Sequence, residues 1–261
     1  MVTFAPIRVE PPAVRPYLGG LLSVINVNDV SDPHAGMGVE FYTYLCSMGG
    51  IAPGMCELPA GVTFDPIKRF ESGDLVAAHP FAVYAGIQCD LFNAPYTDQT
   101  RTKLAGTEEY AVSRAFFQEL FEGDNEPPPV QLLPDLTDIP DAIGALEQYA
   151  AVIYAGMPIL HMNRRTAADA ISVRAAFQNI DGTLMTGQGT PIANAPGYPD
   201  DVIFVTSAVH GWRTPVRTYD VPDTRENSHY SLAERIWSIG TECFLAYAGV
   251  LPAPPPPPEE P

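Results

Sequence analysis

Residues 141–198 read DAIGALEQYAAVIYAGMPILHMNRRTAADAISVRAAFQNIDGTLMTGQGTPIANAPGY, and this stretch decides the fold. Ile143, Leu146, Ala150 and Ile153 recur at helical spacing. They predict a helix over 141–151, capped by Asp138 or Asp141, with Pro140 near its first turn. A buried run is expected over 152–162. A second helix is predicted over 165–177, with Ala167, Ala170, Ile171, Arg174 and Ala175 on one side and Asp169 within reach of neighbouring arginines. Gly187, Gly189 and Gly197 then punctuate a pair of short strands. Together these elements make an α/β sandwich around a small central sheet. The stretch holds neither a phosphate loop nor metal-ligand spacing.

Before this stretch, residues 98–122 form the longest helix candidate, with Thr97 or Asp98 as cap and Gly123 as its end. Val112, Phe116 and Leu120 supply its apolar stripe, and Gly106 weakens its early part. FAVYAGIQCDLF (81–92) is the clearest strand of the first half, apolar enough for burial on both sides in places. EGDNEPPPVQLLPDLTDIP (122–140) reads as an acidic, proline-laden linker.

Nearer the start, residues 39–45 and 62–70 read as two extended pieces around the Gly/Pro-rich SMGGIAPGM, a projecting hairpin that needs a surface to lie against. Residues 1–40 read as an extended arm. Its apolar part, 18–30, has no local strand partner and is expected to dock on its own body or a neighbour's. On the other side of the central stretch, 202–209 reads as a strand, 213–221 as an extended piece, and 232–247 as one long strand kinked at Gly240. The closing PAPPPPPEEP reads as a stiff solvent spike, with a ligand for a proline-reading partner as its sharper role.

The formal net charge is −17, from 31 acidic against 14 basic residues, which excludes a binder that works by neutralising phosphates. Only 17% of residues are charged against 46% hydrophobic, so the surface is either neutral loop or contact with other subunits. No apolar run reaches membrane-spanning length and MVTFAPIRVEPP carries no signal pattern, which reads as a cytoplasmic protein. The cysteines (Cys46, Cys56, Cys89, Cys243) are then expected as reduced thiols, with a Cys46–Cys56 bridge as the alternative.

A search for chemistry assigns no catalytic, cofactor-binding or metal-ligating residues. His161 with Asn163, Arg164 and Arg165 resembles a catalytic histidine beside an anion clamp, but a strand-end histidine before helix-start arginines explains them as well. His34, His79, His210 and His229 stand singly. The glycines of TGQGTP lack the lysine and the strand-to-helix setting that phosphate cradling needs.

The order of elements resembles the tailed-bacteriophage major capsid proteins, whose fold is shared with encapsulin shells. FAVYAGIQCDLF and the helix ending AVSRAFFQELFEG look like that family's peripheral P-domain strand and spine helix. DAIGALEQYAAVIYAGMPILHMNRRTAADA looks like its central A-domain, GTPIANAPGYPDDVIFVTSAVHGW like the loop and buried strand that follow, and RIWSIGTECFLAYAGVL like the final return strand. PYLGGLLSV and the run from TFDPI to HPFAVYAG are similar to capsid proteins of actinobacterial phages.

The resemblance implies an α+β fold with an N-arm (1–40), an E-loop hairpin (41–78), a P-domain strand and spine helix with linker (79–137), an A-domain (138–210), return strands (211–250) and a proline-rich tail (251–261). It implies a non-enzymatic, cofactor-free shell subunit found in the virion and assembled in the host cytoplasm. Its partners would be its own copies in hexamers and pentamers, scaffold, portal or decoration proteins, and packaged DNA by weak non-specific contact, with no membrane. TGQGTP and ANAPGYPDD would meet at the symmetry centres. The chain opens on the arm, so a separate scaffold or none is expected. Lys68 and Lys103 are its lysines, and no crosslinking pair is assigned. An encapsulin-type compartment and a minor head or decoration protein are the alternatives.

Overall fold

The computed structural model describes residues 18–46, 75–90, 96–123, 130–200, 202–243 and 245–250. In chain order these form α1 (Leu21–Val24), β1 (Asn26–Asp29), a 3-10 turn (Pro33–Met37), β2 (Val39–Tyr42), β3 (Leu75–Ala78), β4 (Pro80–Asp90), α2 (Thr97–Glu122) and β5 (Val130–Thr137). There follow α3 (Ile139–Ile153), β6 (Ile159–Met162), α4 (Arg164–Ser172), β7 (Ala176–Gln178), β8 (Leu184–Thr186), β9 (Pro191–Asn194), β10 (Val202–Thr206), β11 (Val209–Arg213), β12 (Arg217–Asp223), β13 (Ser228–Thr241) and β14 (Leu245–Val250).

The α2 segment contains no proline and a single glycine, and the helix runs unbroken through Gly106 for 26 residues, roughly 39 Å. Thr100, Leu104, Glu108, Val112, Phe116 and Leu120 are buried at successive four-residue steps, so one face of the helix meets the core. The expected N-caps, Thr97 or Asp98, are not used, since Tyr96 occupies that position without a side-chain bond; Gly123 ends the helix as expected, in an extended conformation. In α3 the cap is Asp138, whose carboxylate accepts the Asp141 N–H at 2.9 Å, with Pro140 in the first turn.

Two sheets carry the rest. A seven-stranded sheet has the order β5-β14-β10-β6-β9-β8-β7. A second sheet is built on the 14-residue β13, which pairs with β4 along one edge and with β12 and then β11 along the other, β1 adding itself to β11. Helices α3 and α4 cover one face of the seven-stranded sheet with Ile143, Leu146, Leu160, Ile192, Ile203 and Val205 between them. Its other face, through Ile159, Ala193 and Phe204, shares a core with α2 and with Val83, Ala85, Ala233 and Trp237 of the second sheet. Helix α2 is therefore the layer between two sheets. No helix among the described residues is long and apolar enough to cross a membrane.

Several expectations are corrected, each for a local reason. The run 152–162 is not buried throughout: α3 continues to Ile153, Val152 and Met157 are exposed, and only β6 is fully buried, because it lies between β10 and β9. Helix α4 stops at Ser172, since Arg174 turns the chain at φ 62°, and Phe177 belongs to β7. The linker holds a strand, β5, parallel to β14. In β4, Val83 and Ala85 are buried while Tyr84 is exposed, so that strand is one-faced. The stretch 202–209 splits at Ser207–Ala208 and 232–247 splits after Thr241, because in both places the chain leaves one sheet for the other.

The hairpin expected from 39–45 and 62–70 closes at its root through β2 and β3, antiparallel from Val39–Ala78 to Tyr42–Leu75, while 62–70 lies outside the described residues, as does the tail 251–261. Cys46 is joined to Cys243 in a disulfide with Cα atoms 5.5 Å apart, replacing the expected free thiols at both positions; Cys56 is outside the described residues.

Phe116 is 1% exposed at the centre of the α2 layer, so Phe116→Ala should cost about 3–5 kcal/mol and Phe116→Asp should abolish soluble folding. Urea unfolding of the alanine variant checks this; a loss below about 1 kcal/mol would remove α2 from its central place.

Candidate functional site

The residues with catalytic appearance take structural roles. His161 is fully buried in β6, with Nδ1 3.0 Å from the Tyr198 hydroxyl and Nε2 2.9 Å from Thr206 Oγ1, and its ring stacks on Phe204 at 4.5 Å. Burial pushes its pKa down to about 3, so the imidazole is neutral. Asn163 caps α4 by accepting the Thr166 N–H at 2.7 Å and donates its amide to Asp200. Arg164 and Arg165 lie exposed on the first turn of α4, so histidine and arginines are not gathered into one cleft. TGQGTP is the turn between β8 and β9, where the Gly189 N–H bonds to the Thr186 carbonyl at 3.0 Å.

The polar group that the sequence reading missed lies on α2. Glu108 and Glu109 are adjacent, each 7% exposed, and they hold different parts of the molecule. Glu108 Oε1 accepts the Trp237 indole N–H at 2.8 Å and forms an ion pair with Arg235 Nε at 3.2 Å, fixing α2 to β13. Burial lowers the Arg235 pKa. Glu109 turns to the amino-terminal segment: Oε1 accepts the Leu21 N–H at 2.6 Å and Oε2 the Leu22 N–H at 3.1 Å. Burial pushes the Glu109 pKa up, while the two N–H donors pull it down.

Gly20 is required there, because a Cβ would stand 2.4 Å from the Glu109 carboxyl carbon. Leu21 is completely buried. The Gly19 carbonyl accepts the Asn194 N–H at 2.9 Å, β1 runs parallel to β11, and Asp29 pairs with Arg213 at 2.7 Å. Residues 18–30 are thus neither extended throughout nor waiting for a neighbour; they are docked on their own subunit. For Glu108 a signal existed in the sequence, since it falls at helical spacing between Leu104 and Val112, where a charge needs a buried partner; Glu109, which holds the docked segment, carries no such mark.

Beyond the docked segment, two surfaces carry exposed apolar and aromatic side chains. The hairpin root exposes Tyr42, Tyr44 and Leu75, with Tyr42 and Tyr44 stacked at 6.5 Å. In the second sheet, Tyr84 lies opposite Glu234, and Tyr230 opposite both Gln88 and Val221, which puts these residues on the face away from α2. Tyr84, Val221 and Tyr230 are exposed there.

This architecture is similar to that of solved particles. It matches the capsid of a native GTA particle with TM-score 0.54 and 14% identity, covering 93% of this chain and 95% of that one. It matches the virus-like particle from Pyrococcus furiosus with TM-score 0.53 and 11% identity, covering 88% and 91%. The holo-SrpI encapsulin complex from Synechococcus elongatus gives TM-score 0.53 and 12% identity over 95% and 94%. This is the fold of tailed-phage capsids and encapsulin shells. No protein-family model and no curated protein matches the sequence.

Within this fold α2 uses its two buried carboxylates to grip β13 and the amino-terminal segment.

Two outcomes follow for the buried groups. Glu108→Ala leaves the Trp237 N–H without its acceptor and Arg235 without its ion-pair partner and should cost about 3–5 kcal/mol in urea unfolding, with Glu108→Gln costing less; equal stability to the parent would contradict the grip. For His161, an unfolded chain takes up a proton near pH 6.5 while the native fold refuses it down to about pH 3. The stability from this group is therefore complete above pH 6.5 and lost as pH falls, amounting to about 3 kcal/mol by pH 4. Glu109, with a raised pKa, works in the opposite sense, so the check is the difference between the parent and His161→Gln at pH 7 and pH 4. Identical pH dependence of the two proteins would refute it.

Proposed function

We propose that the chain is the major capsid protein of a tailed phage, a non-catalytic subunit whose copies close into the icosahedral head around double-stranded DNA. The observation that carries this is the pairing of a capsid fold with apolar side chains that are exposed, among the described residues, at the hairpin root and on the outer face of the β4–β13–β12 sheet. A closed shell of symmetry-related copies covers such surfaces and needs only modest interfaces, because each is repeated around every ring. At about 25 cal/mol per Å2, a few hundred Å2 of apolar contact per neighbour supplies several kcal/mol.

In this proposal residues 1–40 and 41–78 are the N-arm and E-loop, 79–137 the P-domain with its spine, 138–210 the A-domain, and 211–250 the return strands. Copies gather into hexamers and pentamers, the virion is where the protein resides, and scaffold, portal or decoration proteins are its further partners. The charge of −17 suits a wall that lets DNA slide rather than bind. The similarity to an encapsulin complex supports a second reading, a compartment that encloses protein cargo.

Electron microscopy of the purified full chain, with nucleic-acid and protein analysis of its contents, separates these outcomes. Closed particles of uniform size support the shell, DNA content selects the phage head, and protein cargo selects the compartment. A monodisperse small oligomer at all concentrations overturns both. Removing residues 1–17, which leaves the docked segment from Leu18 intact, should give folded subunits that fail to close; normal particles would remove the arm from assembly.

A further inference from the structure

Two of the chain's crossings between the sheets lie side by side. At Ser207–Ala208 the chain passes from β10 to β11, and between Thr241 and Leu245 it passes back from β13 to β14. These crossings are stitched together: Ser207 Oγ lies 2.8 Å from Thr241 Oγ1 and accepts the Cys243 N–H at 3.0 Å, and the Glu242 N–H reaches the Ala208 carbonyl at 3.3 Å. Tyr154, just after α3, locks both, donating its hydroxyl to Glu242 Oε2 at 2.8 Å and accepting the Ala208 N–H at 3.1 Å; burial first, and then Glu242, push its pKa up to about 12. His210 Nε2 stands 3.3 Å from Glu242 Oε1.

The hairpin root arrives at this double crossing. Phe41 packs on His210 and Trp212, and the Leu45 carbonyl accepts the Ala155 N–H at 3.1 Å. The next residue, Cys46, is bonded to Cys243 inside the crossing, 197 positions away in sequence. Both cysteines are half-buried.

We propose that Cys46–Cys243 is a reversible redox clasp, which when closed ties the hairpin root to the junction of the two sheets and when open leaves it held by non-covalent contacts alone. This rests on the positions of the two residues and not on the shell assignment. Closure is thiol–disulfide exchange with a small-molecule disulfide. One cysteine thiolate attacks a sulfur of that molecule and expels one thiolate. The second cysteine then attacks the mixed disulfide and expels the other, so two protein thiols are oxidised, one small disulfide is reduced to two thiols, and the two protons lost by the cysteines are taken up by the departing thiolates.

The same neighbourhood offers a competing chemistry, because Cys46, Cys243 and Glu242 bring possible metal ligands within 4.8 Å of one another. The observations favour the disulfide: the sulfurs are bonded, and both oxygens of Glu242 are already engaged by Tyr154 and His210.

Full-length protein equilibrated in oxidised or reduced glutathione, alkylated, digested and analysed by mass under non-reducing conditions should show a Cys46–Cys243 peptide pair in the oxidised sample only. In thermal unfolding, reductant should lower the parent Tm by about 10 °C, to that of Cys46→Ser, and should leave Cys46→Ser unmoved. Alkylation of Cys46 and Cys243 in the oxidised sample would overturn the clasp. So would an equal Tm shift in the serine variant, or one equivalent of zinc retained by the parent after zinc loading and dialysis but not by Cys46→Ser. The peptide analysis needs only the parent chain, so it decides the matter even where the variant fails to fold.

Discussion

Two adjacent carboxylates buried in the middle of a long helix are the constraint on which this molecule rests. A buried charge is unfavourable unless it is paired and hydrogen-bonded, so Glu108 and Glu109 accept few arrangements of their surroundings. Glu108 requires the Trp237 indole and Arg235 of β13; Glu109 requires the first backbone N–H groups of α1. The apolar stripe of Leu104, Val112, Phe116 and Leu120 supplies the adhesion of α2, but apolar surfaces slide. The carboxylates set the register of helix, sheet and arm together.

From that register the rest of the posture follows. With α2 fixed between two sheets, two direct strand-to-strand crossings, β10 to β11 and β13 to β14, meet at one junction, and the hairpin root is brought to it. The close approach of Gly197 to α2, where a Cβ would meet Ser113 Oγ at 2.4 Å, fixes the loop before β10 on the same helix, and the Gly197 N–H donates to that hydroxyl at 3.2 Å. What remains uncovered is the outer sheet face and the hairpin root. For the proposed shell, this division of labour is useful. A rigid interior holds the limbs at a defined angle, so that identical contacts can repeat around symmetry axes without each copy having to find its geometry anew.

Much of this was legible in the sequence, and the gaps have physical causes. Periodicity revealed α2 and α3 because each has one apolar face, and Asp138 with Pro140 marked the start of α3. The order of elements was enough to suggest the capsid fold. Strand limits were misjudged wherever the chain changed sheets, at Ser207–Ala208 and after Thr241, because residues continue to alternate across a crossing and nothing local records that the partner has changed. The stop of α4 depended on a positive φ at Arg174, which no residue preference announces. The arm's docking and the Cys46–Cys243 bond join positions 87 or more residues apart, and spacing alone carries no information about such pairs. Glu109 reads as an ordinary surface acid until its partner is known.

The central claim is that α2 holds the amino-terminal segment through Glu109 before any partner arrives. Hydrogen exchange followed by mass spectrometry on the unassembled chain tests it most directly, through a peptide containing Leu21 and Leu22. The account predicts that this peptide is protected to the same degree as the Val112–Phe116 part of the helix and becomes exchange-labile in Glu109→Ala. Exchange at the rate of an unstructured peptide in the parent chain would contradict it.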